Sequence, residues 1–114
     1  MKRYCLACDL KDQEDLIEQY KAWHARGRAW PEITESIKNE GIIDMEIYLT
    51  GNRLFMVMEV EDWFDFRRKA ESDAKNAKVQ EWERLMEQFQ QPLPWAGGTH
   101  EKWLLTERIY KLDE

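Results

Sequence analysis

The chain has 114 residues, 43% of them hydrophobic and 35% charged, a balance that suits one packed domain and excludes disorder. A formal net charge of -6, with Lys and Arg scattered singly among carboxylates, argues against nucleic acid or an anionic membrane as partner, and no apolar run reaches the roughly 18 residues that span a bilayer. Met1-Lys2-Arg3-Tyr4 runs directly into a strand-like segment rather than a signal sequence, so a cytoplasmic location is expected.

Arg3 to Leu10 lack helical spacing and end at an Asp-Leu-Lys-Asp turn, which makes them a first strand. Cys5 and Cys8 lie within it, three apart. In extended chain they face opposite ways and no second ligand pair follows, so buried structural thiols are expected rather than a redox or zinc site. Asp12 can cap a helix that places Leu16, Ile17, Tyr20, Trp23 and His24 at three- and four-residue spacing and runs to about Arg26. Gly27 stops it. Trp30-Pro31-Glu32 then starts a second helix, with Ile33 and Ile37 inward and Gly41 at its end.

Ile43, Met45, Ile47 and Leu49 alternate with Asp44, Glu46 and Tyr48, and Gly51-Asn52 turns the chain into a return strand, Arg53 to Val60. Asp62 is expected to cap a helix containing Trp63, Phe66 and Ala70. After a break near Ser72-Asp73 a further helix sets Val79, Trp82, Met86 and Phe89 on one stripe. Pro92, Pro94, Gly97 and Gly98 mark a loop, and Lys102 to Tyr110 read as a closing strand. Strand, helices, hairpin, helices, strand is the order of a ferredoxin-like α+β fold, an antiparallel sheet with its helices on one face. The other face would present apolar residues to water, and a second copy is its symmetric cover, giving a homodimeric α/β barrel.

No Gly-rich phosphate loop and no His-Glu-x-x-His pattern occurs among these residues, and with two histidines no metal or cofactor is expected. Proton transfer by one positioned side chain is the chemistry left open. His24 follows Tyr20 by four residues, on one helical face and near Trp23 and Trp30, so it reads either as part of a pocket wall or as a histidine satisfied at a helix end. His100, in the Gly-rich loop, reads as solvated. Tyr20, Trp30 and Trp82 are core aromatics or pocket walls, and Asp44, Glu46 and Glu59 are candidate bases only if their strand faces line the cavity.

Taken in order, Tyr20-x-x-x-His24, Trp30-Pro31-Glu32, Glu46-Ile47-Tyr48-Leu49, Leu54-Phe55-Met56 with Glu59, and Gln80, Trp82 and Met86 resemble the L-rhamnose mutarotase family over nearly the whole chain. The resemblance implies a dimeric ferredoxin-like barrel that exchanges the α and β anomers of L-rhamnose without metal or cofactor. It also implies His24 as proton donor, with Tyr20, Trp82 and Trp30 as the residues around the sugar. Two departures stand out: Met45 occupies the position of a substrate-contacting tyrosine, and Glu83 follows Trp82 where some members carry a second tryptophan. They alter the part of the pocket that reads hydroxyls, which makes L-fucose, another 6-deoxy hexose, the alternative substrate. Two other classes stay open at this level: a monooxygenase of the haem-degrading or antibiotic-biosynthesis type on the same fold, and a binding module without catalysis.

Overall fold

A computed structural model of the protein describes residues 1–97 and 102–113; His100 lies outside them. The elements are β1 (Lys2–Leu10), α1 (Glu14–Trp23), α2 (Pro31–Asn39), β2 (Ile42–Thr50), β3 (Arg53–Val60), α3 (Phe66–Ala74), α4 (Ala77–Glu87), β4 (Gln90–Gln91) and β5 (Leu104–Leu105). The strands form one antiparallel sheet in the order β2-β3-β1-β4, with β5 also paired to β1. This is the α+β ferredoxin-like arrangement expected from the element order.

Register explains which side chains go inward. Tyr4, Leu6 and Cys8 of β1 stand opposite Met58, Met56 and Leu54 of β3, which stand opposite Met45, Ile47 and Leu49 of β2. That face meets the helices. At one end Leu10 and Leu54 pack with Tyr20, Met86 and Phe89, and at the other Ile42, Met58 and Val60 pack with Phe64. Cys8 lies in the same layer, where burial and the adjacent Asp9 carboxylate push its thiol up to about 12, and Cys5 is half-buried on the opposite face. Both thiols are free, and Cys8 is protonated at neutral pH.

The outer sheet face is less bare than the alternation suggests. Leu93, Ala96 and Leu104 cover Ala7 and Phe55, Arg53 binds the buried Asp9 carboxylate through two hydrogen bonds of 2.8 and 3.2 Å, and the Trp95 ring lies 4.6 Å from the Arg53 guanidinium. Arg3 pairs with Glu59 at 2.8 Å, and the Tyr48 hydroxyl donates to Glu46 at 3.0 Å.

Several boundaries differ from the sequence expectation, each for a local reason. Gln13, not Asp12, precedes α1 and gives no side-chain cap; α1 ends at Trp23, and His24 is its C-terminal cap rather than an interior residue. Asp62 does not cap α3, because it pairs with the N-terminal amine brought alongside by β1; Asp65 caps it instead, accepting from the Arg67 amide at 2.9 Å. The break between α3 and α4 falls at Lys75–Asn76, where the Asn76 side chain accepts from two amides of the next helix. Phe89 lies beyond α4 but stays buried against the core. The closing strand shrinks from Lys102–Tyr110 to Leu104–Leu105, because the chain after Thr106 leaves β1 and stays exposed.

Trp63 sits before α3, with its ring against Gly41, whose φ is +88°. A Cβ at Gly41 would lie 2.7 Å from that ring, whereas one at Gly27, with a similar φ of +82°, would meet nothing within 4 Å. Left-handed backbone costs an L-residue about 1–2 kcal/mol at either place, but only Gly41 adds a clash. Gly41→Ala is therefore expected to lose about 2–4 kcal/mol in urea unfolding, at least ~1 kcal/mol more than Gly27→Ala. Equal losses would remove the ring contact from the account.

Candidate active site

The site begins with how α1 is anchored. Leu16, Ile17 and Trp23 pack partly buried against the Leu10, Leu54, Met86 and Phe89 cluster, and Tyr20 inserts fully, at 4% exposure. Burial drives the Tyr20 phenol far above its ordinary range, and a hydrogen bond with the Gln90 side chain offsets only part of that rise. It remains a neutral hydroxyl, neither a base nor a ready acid.

With Tyr20 fixed, its carbonyl becomes a fixed acceptor at the end of α1. His24 uses it: Nδ1 lies 2.8 Å from the Tyr20 carbonyl oxygen, a contact in which the ring nitrogen donates. That assigns the hydrogen of the neutral ring to Nδ1 and leaves the lone pair on Nε2, which has no hydrogen-bond partner among the described residues. The ring also stacks on Tyr20 at 4.3 Å and meets the Trp82 edge at 5.5 Å. Its burial on that side lowers the pKa from the ordinary value, and the carbonyl hydrogen bond partly opposes the change. Because the residue keeps an exposed side, the shift is a bias toward the neutral ring at pH 7 rather than a lock.

Trp82 joins the expected residues together. Its ring lies 5.1 Å from Trp30, 6.4 Å from Trp23 and 5.5 Å from His24, so the four residues singled out in the sequence form one contiguous aromatic group. Trp30 immediately precedes α2, and the Lys78 ammonium lies 5.7 Å from its ring centre.

On the open side of His24 is a cleft of about 530 Å³, a size suited to a small ligand, bounded by the end of α1, by α2 and by β2. Tyr20 and His24 line it; Trp82, against the His24 ring, and Trp30, against Trp82, are not part of that lining. Its floor is apolar, formed by Ile43, Met45, Ile47 and Leu49, while Lys21, Thr34 and Lys38 supply polar side chains. Asp44 borders the cleft, but the register sets it opposite Glu59, so the three carboxylates considered as bases, Asp44, Glu46 and Glu59, all lie on the outer sheet face with Tyr48 and Arg3. Lys21, Thr34 and Lys38 were not singled out from the sequence, although Thr34 and Lys38, four apart on α2, share a helical face. Glu83 turns toward Gln80, which donates to it at 3.3 Å, and burial followed by the nearby Asp73 raises its pKa. Among the described residues no group of three or more His, Cys, Asp or Glu is placed to hold a metal ion, and no helix is long and apolar enough to cross a membrane.

Residues 3–112 match the model of the L-rhamnose mutarotase family. The chain belongs to that family. It is accordingly a sugar mutarotase, an isomerase that acts on sugar anomers. An L-fucose mutarotase of Xanthomonas campestris pv. campestris is 41% identical over 114 residues, covering 100% of this chain and 90% of the relative. A UPF0734 protein of Dictyostelium discoideum, whose name states no activity, is 35% identical over 118 residues, covering 98% of this chain and 90% of the relative. The crystal structure of an L-rhamnose mutarotase from Formosa agariphila superposes with a TM-score of 0.70, covering 99% of this chain and all of that one, and at 21% identity it speaks for the shared fold.

Proposed function

We propose that this mutarotase exchanges the α and β anomers of a 6-deoxy-L-hexose in the cleft beside His24, with L-fucose the first substrate to test and L-rhamnose the second. The 41% identity to an L-fucose mutarotase over the whole chain favours that order. The apolar floor of Ile43, Met45, Ile47 and Leu49 suits the methyl group and C–H faces of such a sugar.

The observation that carries the mechanism is the hydrogen bond from His24 Nδ1 to the Tyr20 carbonyl. A pyranose opens when the anomeric hydroxyl loses a proton, the bond from the anomeric carbon to the ring oxygen breaks, and that oxygen gains a proton. Both oxygens are attached to the same carbon. Neutral His24 takes the first proton on Nε2, becomes imidazolium, and donates it to the departing ring oxygen, so the ring ends neutral again. Rotation of the open aldehyde about its bond to the next carbon and reclosure on the other face gives the second anomer. In this reading His24 is the proton donor in the second half of a transfer that it begins as acceptor. Tyr20 holds it in place, and Trp82 and Trp30 wall its far side.

Saturation transfer between the anomeric protons tests the reading. We expect exchange above the uncatalysed rate for L-fucose, L-rhamnose or both. The sign of the pH dependence follows from the lowered His24 pKa: the neutral ring is the working form, so the rate stays level at neutral pH and falls only below the ordinary imidazole range, as the ring protonates. A rate that rises as pH falls would contradict the neutral starting state, and no acceleration of either sugar would overturn the function.

The same chain is proposed to work as a homodimer. Half-buried Cys5 and Val57 and exposed Tyr48 on the outer sheet face, and Ile109, Tyr110 and Leu112 at 88%, 73% and 70% exposure beyond β5, give an apolar surface that a second copy would cover. Its free thiols fit a reducing cytoplasm. Light scattering at micromolar concentration should report twice the 13.8 kDa chain mass, and a monomer would refute the pairing.

A further inference from the structure

The cleft has more polar atoms than proton transfer uses. Tyr20 directs its hydroxyl to Gln90, Lys21 pairs with Glu18 at 3.3 Å, and His24 is committed to the anomeric carbon. Thr34 and Lys38 are left, each lining the cleft with no side-chain hydrogen bond or ion pair among the described residues. They occupy successive turns on one side of α2.

We propose that Thr34 and Lys38 are the specificity-determining residues that read the sugar hydroxyls, and that they decide between L-fucose and L-rhamnose. The inference rests on the mutarotase reading above. The two sugars share the anomeric carbon and the methyl group that His24 and the apolar floor would engage; they are epimers at C2 and C4. Discrimination therefore has to come from groups that sense hydroxyl direction. An ammonium donates to hydroxyl oxygens, and a threonine hydroxyl donates or accepts. Met45, at the cleft floor, offers none of these. A pocket that hydrogen-bonds a hydroxyl in one orientation leaves its own polar groups unpaired when the epimer enters, and the wrong sugar then binds less well.

The test is anomer exchange by saturation transfer across a concentration series of each sugar, with wild type, Thr34→Val and Lys38→Met. Both positions are exposed, so the variants should fold, as circular dichroism would verify. Both are expected to raise KM for the preferred sugar on the order of 10-fold and shrink the ratio of kcat/KM between the two sugars similarly. The rate at saturation and its acid-side pH limb should stay within a few-fold, which separates a reading role from proton transfer. A ratio unchanged within twofold in both variants, with wild type active, overturns this inference alone. A wild type that accelerates neither sugar overturns it together with the mutarotase reading.

Discussion

Tyr20 is held in the core between Leu10, Leu54 and Phe89, and this burial fixes much else at that end of the molecule. It docks the last turn of α1 onto the end of β1, where Lys11 donates to the Phe89 carbonyl and Leu10 exchanges hydrogen bonds with Asn52 of the hairpin. It also aims one backbone carbonyl at His24. A side chain that is nine-tenths or more removed from water thus sets the tautomer of a neighbour that is open to it. The aromatic packing of Trp82 on the ring then fixes the remaining freedom.

The cleft exists because the two helices before β2 are used differently. α1 reaches the sheet through long side chains at one end, while α2 packs on α4 and on β2 itself. The space between them opens over the inner face of the edge strand, whose Met45, Ile47 and Leu49 would otherwise be core. Apolar floor and polar rim therefore follow from the fold: the floor is strand alternation, and the rim is the solvent side of two helices.

Much of this was readable in the sequence, and where it was not the reasons are local. Element order and the Gly51-Asn52 hairpin emerged because alternation and turn chemistry act over a few residues. The spacing of Tyr20 and His24 put their rings together, and Trp82 joins His24 to Trp30 although 51 residues separate the two tryptophans in the chain. What failed were choices between nearby equivalent residues. Asp62 and Asp65 are equally good caps on paper, but α3 begins at Phe66, so Asp65 takes the cap while Asp62 pairs with the N-terminal amine. Asp44, Glu46 and Glu59 looked equally eligible until register put all three on the outer face. Thr34 and Lys38 were not singled out because nothing in α2 itself says that a cleft lies beside it. The closing segment keeps strand-like alternation to Tyr110, yet pairing stops after Thr106 binds the Cys5 carbonyl.

The central claim is that His24 moves the proton, and replacing it with Asn examines that claim most directly. Asn keeps a polar amide near the Tyr20 carbonyl but cannot carry a proton at neutral pH. Saturation transfer between the anomeric protons of L-fucose and L-rhamnose, at equal concentrations of wild type and His24→Asn, should show exchange reduced on the order of 10²–10⁴-fold in a variant with unchanged circular dichroism. Exchange at the wild-type rate in that folded variant would contradict the account and return His24 to a structural role at the end of α1.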